Sequence, residues 1–585
     1  MNRTRWLEPS DLRIGLGCMR LSTDDTRDEE AALETIAAAV DAGVTVFDTA
    51  RAYGHGATEL GHNERLLSRA LRRGGVHTRA RVVTKGGMTR TDGGWIPDGR
   101  ARSILSDCES SLAALDGLAI DLYLIHAPDP RTPWQTTVRA LARLYDEGMV
   151  RRVGIANVNR PQFEAALELA DISAVQVALS LHDDSAVRGG MVERCAARGI
   201  VVMAHSPLGG PRRANRLARN QALIGVAEAN SATATEVALA WLLALSPNIV
   251  AIPGARRPET ARSAARAARL QLSPNDLAAL ARAFGRPRAA RVERSRHHTS
   301  DAAEVVLVMG VPGAGKSRVA QEYAARGYAR LNRDELGGSL RELAGALDVQ
   351  LASGVRRIVL DNTYLTRAAR SDVIEVVSRN GGHARCVWID TPLAQAQVNL
   401  VERLLERFSA LPTPDELRAL ARHEQGVLAP TSQMRAFREL EPPSMDEGFS
   451  AVERVPFTRA SIPARSRRGV FITAAALRHR EWKRALDSGD RSAPHLVYDW
   501  SPDGTPDELD ACVSQLSATL SAPIERGLCS HPAGPPTCWC RPPLPGLPLA
   551  FARAHGVDPS RSILIGDGAA HRTLAVTLGA RYVQV

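Results

Sequence analysis

RIGLGCM (13–19), TVFDTA (45–50), RVVTK (81–85), DLYLIHA (121–127), RRVGIAN (151–157), AVQVALS (174–180), VVMAHSP (201–207) and IVAIPGA (249–255) are eight short apolar runs separated by Ala-rich stretches of helical character. Strands alternating with helices build a parallel sheet, and eight such units in about 280 residues is the length of a closed (β/α)8 TIM barrel. No G-x-G-x-x-G follows any of these runs, which argues against a dinucleotide-binding open sheet here. The barrel is therefore expected over residues 1–285. The next stretch, 286–303, is rich in Arg, contains Pro and has no apolar period, so it reads as a basic linker.

Beyond it a second α/β unit opens with VVLVMG (305–310) and extends over 304–462 through RIVLDNT and ARCVWIDT. A short linker at 463–468 precedes a third, Pro-rich unit over 469–585, marked by the strand-like GVFITAA, HLVYDW and SILIGDG. A chain of 585 residues exceeds what one core supports, in keeping with this division. The expected fold class is thus multidomain α/β.

Composition excludes several classes. The chain is 44% hydrophobic and 24% charged, and no apolar run approaches the roughly 20 residues of a membrane helix, so no membrane partner is expected. The opening MNRTRWLEPSDLRIGLG lacks an apolar signal core, and eight cysteines in this length do not form a disulfide framework, which points to the cytoplasm. The net charge of +10 permits a polyanionic partner. Its make-up is more informative: of 74 basic residues only Lys85, Lys316 and Lys483 are lysine. Where positive charge alone suffices the chain uses arginine, so a retained lysine marks a position that needs a compact or tunable cation.

In a barrel of this kind the chemistry sits at the carboxyl ends of the strands. Asp48, Lys85, His126, Asn157 and Gln176 each end or nearly end a strand run, and Tyr53 follows Asp48 closely. DTARAYG, VVTK, LIHAP and GIANV resemble the motifs of aldo-keto reductases over residues 10–275. The resemblance implies NAD(P)H-dependent carbonyl reduction through Asp48, Tyr53, Lys85 and His126. A phenol of pKa ~10 is a weak acid at neutral pH, and the neighbouring Lys85 ammonium is expected to lower it. Tyr53 would be the general acid, Asp48 would hold Lys85, and His126 would orient the carbonyl of a small-molecule substrate. By the same resemblance Asn157 and Gln176 would hold the nicotinamide carboxamide, and Arg256 with Arg257 a cofactor phosphate, favouring NADPH. Ser263 and Ala264 stand where relatives place residues that hold adenine.

GVPGAGKS (310–317) fits the G-x-x-x-x-G-K-S phosphate loop, between an apolar strand and a helix. Gly310, Gly313 and Gly315 are expected to let backbone amides wrap phosphates, Lys316 to reach the β- and γ-phosphates of ATP, and Ser317 to ligate Mg2+. NRDEL (332–336), LDNT (360–363) and NLVERLLERF (399–408) are similar to P-loop polynucleotide kinases. That likeness implies Asp334 as general base, Arg403 or Arg407 as the lid arginine, Asp361 as a lesser candidate for metal-bound water, and an RNA or DNA 5′-hydroxyl as acceptor. Gly337 replaces an arginine common in the relatives, with Arg341 as its possible substitute.

In the third unit Cys529, His531, Cys538 and Cys540 supply four ligands of the kind tetrahedral Zn2+ prefers. CWCRPPLPGL and ILIGDGAAH resemble the zinc-bearing histidinol-phosphate and heptose-bisphosphate phosphatases of the haloacid dehalogenase superfamily. Against that pattern Thr473 and Ala475 stand where the D-x-D acids belong, Pro542 replaces the lysine, and Asp567 with His571 replaces a pair of acids. A carboxylate nucleophile has no alkyl substitute, so the unit is expected to be a zinc-stapled, degenerate haloacid dehalogenase-like scaffold. The whole chain reads as a bifunctional reductase and polynucleotide 5′-kinase. Its rivals are a reductase joined to a small-molecule kinase, and an NADPH-sensing barrel that regulates the kinase.

Overall fold

The computed structural model of the chain describes residues 6–8, 10–76, 78–91, 94–284, 302–458, 465–502 and 506–585. Most of the expected basic linker, and positions 463 and 464 of the second one, lie outside these residues. The contacts divide the chain into two compact units, Met1–Arg291 and Val292–Val585.

The first unit carries strands β1 (Gly15–Gly17), β2 (Val46–Asp48), β3 (Arg81–Gly86), a hairpin of β4 (Met88–Thr91) and β5 (Gly94–Pro97), then β6 (Ile120–Ile125), β7 (Val153–Ala156), β8 (Ile172–Ala178), β9 (Val201–His205) and β10 (Ile249–Ile252). All but the hairpin form one parallel sheet in sequence order, β1-β2-β3-β6-β7-β8-β9-β10. Parallel bridges Ile14 to Ala251 and Gly17 to Gly254 close the seam into a barrel. Gly17 is needed at that seam, since a Cβ there would lie 2.9 Å from the Ile252 carbonyl oxygen. The strands are buried on both faces, as every residue of β6 illustrates, because helices cover the outside and side chains fill the inside.

The inner filling decides where the polar residues go. Val46, Val83, Leu124, Ala174 and Met203 belong to one small apolar cluster inside the barrel, with Trp6 among them. Side chains of a strand alternate with period two. The residues two places further along, Asp48, Lys85, His126, Gln176 and His205, therefore point into the same lumen, one layer nearer the carboxyl ends.

The second unit has two five-stranded parallel sheets. In the first, β11 (Glu304–Met309), β12 (Ala329–Leu331), β13 (Arg357–Asp361), β14 (His383–Asp390) and β15 (Ala451–Pro456) are ordered β12-β13-β11-β14-β15. In the second, β16 (Val470–Thr473), β17 (His495–Trp500), β18 (Ile524–Cys529), β19 (Ile563–Gly566) and β20 (Arg581–Gln584) are ordered β18-β17-β16-β19-β20. In both, the first strand lies in the middle, where the chain switches direction across the sheet, and ligands of open α/β sheets bind at the carboxyl end of that switch. Helices α1 (Lys316–Ala325), α2 (Leu393–Phe408), α3 (Gly546–His555) and α4 (Ala569–Leu578) matter most below.

The two halves of this unit share a core. Leu400, Val401, Leu404 and Leu405 of α2 pack in the same buried cluster as Leu549 and Phe551 of α3 and Leu574 and Leu578 of α4. The sequence separates a second and a third unit at 463–468, but the apolar stripe of α2 has its partner on the far side of that junction. Burying it there stabilises both halves together, at about 1.5–3 kcal/mol for each large side chain taken from water.

Candidate functional sites

At the mouth of the barrel Lys85 Nζ donates to both carboxylate oxygens of Asp48, at 2.7 and 2.8 Å, and to the Thr49 carbonyl at 2.8 Å. Its fourth neighbour is the Tyr53 hydroxyl at 3.2 Å. Lys85 is 1% exposed and Asp48 3%. Burial works against the lysine's charge, yet Asp48 and Tyr53 more than offset it, and the ammonium is held above its ordinary value. The phenol departs from the sequence expectation: burial pushes Tyr53 up to about 12, and Lys85 only partly opposes this. Desolvation is the main cause, and Asp48 beside the same ammonium cancels part of its field at the phenol. Burial, then Lys85 and His205, press His126 well below its usual range, so its imidazole is neutral at pH 7. The rings of Tyr53, Trp95 and His126 meet edge to face, at centroid distances of 5.6 to 5.9 Å.

Asn157 takes a left-handed φ of +56° just after β7, donates to the His126 carbonyl at 2.9 Å, and accepts at Oδ1 from His205 Nε2 at 3.0 Å. Gln176 turns its amide nitrogen to Asp48 Oδ1 at 2.7 Å, so it also steadies the buried carboxylate. Arg256 is engaged by Asp24 and Thr26, each at 2.9 Å, while Arg257 is exposed at the N-terminus of the helix Pro258–Ala267. Ser263 donates to Glu236 at 2.7 Å and Ala264 is buried, which gives both positions a packing role.

The 310–317 segment is curled. Gly313 and Gly315 have left-handed φ values of +85° and +94°, and a Cβ at Gly313 would sit 2.4 Å from the Ala396 carbonyl oxygen. Thr391 and Asn399 side chains hold the carbonyls of Ala314 and Gly313, at 3.0 and 2.8 Å. Lys316 Nζ donates to the Gly310 and Val311 carbonyls, both at 3.0 Å, across the mouth of the loop. Burial brings it down to about 8, with Asp361, Arg403 and Asp334 near enough for their charges to act on it. Ser317 lies exposed in the first turn of α1, whose N-terminal amides add positive potential.

Asp334 is exposed on the short helix Arg333–Leu336, followed by the left-handed Gly337 and Gly338. Asp361 is buried and accepts from Arg330 at 2.6 Å and Asn332 at 3.0 Å, so Arg330 balances its charge. Of the two lid candidates, Arg407 is tied to Glu424 and the Gln425 carbonyl, whereas Arg403 is the one whose charge reaches Lys316. Arg341 lies 4.0 Å from Asp372, a carboxylate that competes for the role expected of it.

In the second sheet the ligand atoms of Cys529, His531, Cys538 and Cys540 all lie within 4.8 Å of one another. Sγ of Cys529 is 3.7 Å from that of Cys538 and 3.4 Å from that of Cys540, and His531 Nδ1 is 3.1 Å from Cys540 Sγ. A tetrahedron with Zn–S bonds of ~2.3 Å has edges of roughly 3.8 Å, so the four groups nearly span such a polyhedron. At the carboxyl end of β16, Thr473 caps the helix Ala474–Arg478 by accepting from the Ala476 amide at 3.1 Å. Asp567 pairs with His571 at 3.0 Å. Thr473, where the sequence resemblance expects the first acid of D-x-D, thus serves as a helix cap.

A family model for the aldo/keto reductase family matches residues 13–283. A soybean (Glycine max) protein named probable aldo-keto reductase 1 is 30% identical over 297 residues, spanning 45% of this chain and 83% of that protein. The chain belongs to the aldo/keto reductase family. Among solved structures it is similar to an aldo/keto reductase from Klebsiella pneumoniae in complex with NADP and acetate, at 28% identity over 47% of this chain and 92% of that one, with a TM-score of 0.41. It is also similar to a glycerol dehydrogenase from Gluconobacter oxydans, at 25% identity over 47% and 93% with a TM-score of 0.41. A second model, described as an AAA domain, matches residues 305–427.

Two residues of the aldo/keto reductase barrel escaped the sequence reading. His205 ends β9 in the same inward register as Gln176 on β8, a signal that was present in VVMAH. Trp95 was not findable by strand ends, because it comes from the β4–β5 hairpin that folds over the mouth and stacks with Arg90 at 4.2 Å.

Proposed function

We propose that the barrel reduces the carbonyl of a small molecule with NADPH, and that the second unit transfers the γ-phosphoryl of ATP to the 5′-hydroxyl end of RNA or DNA. The observation that carries the first half is the buried chain Asp48–Lys85–Tyr53, in which the ammonium touches both a carboxylate and the phenol. The donors suit a nicotinamide cofactor: Asn157 directly follows β7, Gln176 lies two residues before the end of β8, and Arg257 stands exposed at a helix N-terminus after β10. When bound, NADPH supplies hydride. Tyr53 is the general acid that gives its proton to the carbonyl oxygen. Because burial keeps the phenol protonated, the role of Lys85 is to stabilise the phenolate as it forms. Neutral His126 offers that oxygen an N–H, and Trp95 sets an aromatic ring beside Tyr53 and His126.

NADPH oxidation with a panel of aldehydes tests this half. Tyr53→Phe should lower turnover by about 100- to 10,000-fold, the usual worth of a positioned proton donor. Equal activity of Tyr53→Phe and wild type would remove the assignment.

For the second half the support is the curled glycine loop, with Lys316 spanning its mouth; Ser317, exposed in the first turn of α1, is the proposed Mg2+ ligand. Asp334 is the base for the acceptor hydroxyl and Arg403 the cation that steadies the transferring group. The exposure of Asp334 on a surface turn favours a polymer end over a metabolite sealed from water. Transfer of labelled γ-phosphate to 5′-hydroxyl oligonucleotides, lost in Lys316→Ala, is the expected result, and transfer to small polyols alone would favour the metabolite kinase.

Zn2+ is proposed at Cys529, His531, Cys538 and Cys540 as a structural ion. Elemental analysis of purified protein should give one zinc per chain. Cys538→Ser should lose it, and with it the rigidity of the 529–540 loop, seen as faster proteolysis there.

A further inference from the structure

Next to the phosphate loop the second unit carries a partly open cavity of about 760 Å3, and Ala314 and Gly315 of the loop line it. One wall comes from the same half of the unit: Val319 of α1, Arg403 of α2, and Phe457 beyond β15. The opposite wall comes from the C-terminal half, through Leu549 of α3, Asp558 and Ser560. That wall is fastened. Arg465 grips Glu402 of α2 with both guanidinium nitrogens, at 2.5 and 2.7 Å, and its side chain is only 9% exposed. Gln395 of α2 donates to the Thr577 carbonyl of α4 at 3.2 Å, and Trp539 Nε1 to the Leu428 carbonyl at 2.9 Å.

The size and lining fit one class of occupant. Small-molecule sites run to roughly 300–1,000 Å3 and combine apolar walls with a few placed polar groups. Here Val319, Phe457 and Leu549 offer faces for a planar base, while Arg403, Asp558 and Ser560 offer partners for ribose hydroxyls. The cavity is continuous with Gly315, where α1 begins.

We propose that this cavity receives the base and ribose of the nucleoside triphosphate, and that Leu549, Asp558 and Ser560 form its outer wall, so the C-terminal half of the unit is a working part of the kinase's nucleotide site. This rests on reading the 310–317 loop as a triphosphate cradle. A wall fixed to α2 also sets the position of Arg403, which couples base recognition to the phosphoryl-transfer cation.

The test uses full-length protein with Mg2+ and two probes, ATP and inorganic tripolyphosphate, which lacks a nucleoside. Ser560→Trp, at an exposed position of the wall, should weaken ATP at least tenfold and leave tripolyphosphate within twofold. Phe457→Ala should do the same from the opposite wall. Val576→Trp, on α4 but 71% exposed and outside the cavity, should change neither. If wild type binds tripolyphosphate and Ser560→Trp keeps full ATP affinity, the wall assignment is wrong. It is equally wrong if Ser560→Trp loses both probes while Val576→Trp keeps them, since the wall would then act on the loop's fold. Failure of folded wild type to bind tripolyphosphate would strike at the phosphate-loop reading itself, and the inference would fall with it.

Discussion

Lys85 and Lys316 are two of only three lysines in the chain, and the protein treats them in opposite ways. Lys85 is sealed in the barrel with a carboxylate against it, and its charge is raised above its ordinary stability. Lys316 is half-buried against two neutral carbonyls, and burial brings it down to about 8. A buried ion with a full counter-charge is part of the fold. An ion held only by dipoles still has attraction to spend on an incoming anion. On the proposed functions the contrast separates a lysine that tunes a neighbour from one that receives a ligand.

The comparison breaks most easily at Lys85. Lys85→Met strands the Asp48 carboxylate in the barrel, and removing one partner of a buried pair costs about 3–5 kcal/mol. Chemical denaturation of the isolated first transition should show a loss of that size, and Lys85→Met, Asp48→Asn together should recover much of it. A single mutant as stable as wild type would mean that the pair is not the structural element described.

Lys316→Ala gives the converse. No charge depends on Lys316 for its partner at hydrogen-bond distance, so stability should change by less than about 0.5 kcal/mol, as for ordinary sites away from the core. ATP binding, read by calorimetry, should weaken by about 30-fold or more, the effect of truncating one member of a desolvated charge pair. A large stability loss with unchanged ATP binding would reverse the roles of the two lysines.

The smallest effect is the pH dependence. Below pH 8 Lys316 is protonated and ready for phosphate. Above it the free site loses its proton, and binding must restore it, so ATP affinity should fall by up to about tenfold per pH unit. Lys85, whose value is raised on folding, keeps its charge through that window, and its contribution to stability fades only as pH climbs through that raised value. An ATP affinity flat from pH 7 to 9 would show that Lys316 is not the titrating group.

Much of the barrel was legible because each of its strands announces itself as a short apolar run and its polar residues end those runs. Asp48, Lys85 and His126 carry that signal in sequence, and so did His205, which went unread. Strands β12, β15, β18 and β20 were less visible: ARL is short, while AVERVP and RYVQ carry charges that edge strands tolerate. The direction of the Tyr53 shift is not legible in sequence for a different reason, since a lone Lys–Tyr pair in water lacks both the burial and the Asp48 that opposes the ammonium.

The order of residues by itself determined the strand and helix periods, the glycine pattern that lets the 310–317 segment curl, and the ligand chemistry of the 529–540 cluster, because these depend on neighbours in the chain. Only the tertiary structure decided that Gln176 steadies Asp48, that Arg403 rather than Arg407 lies near Lys316, and that α2 shares its core with α3 and α4. Those facts depend on which surfaces meet across long separations, where burial and charge balance are summed over groups that no local pattern brings together.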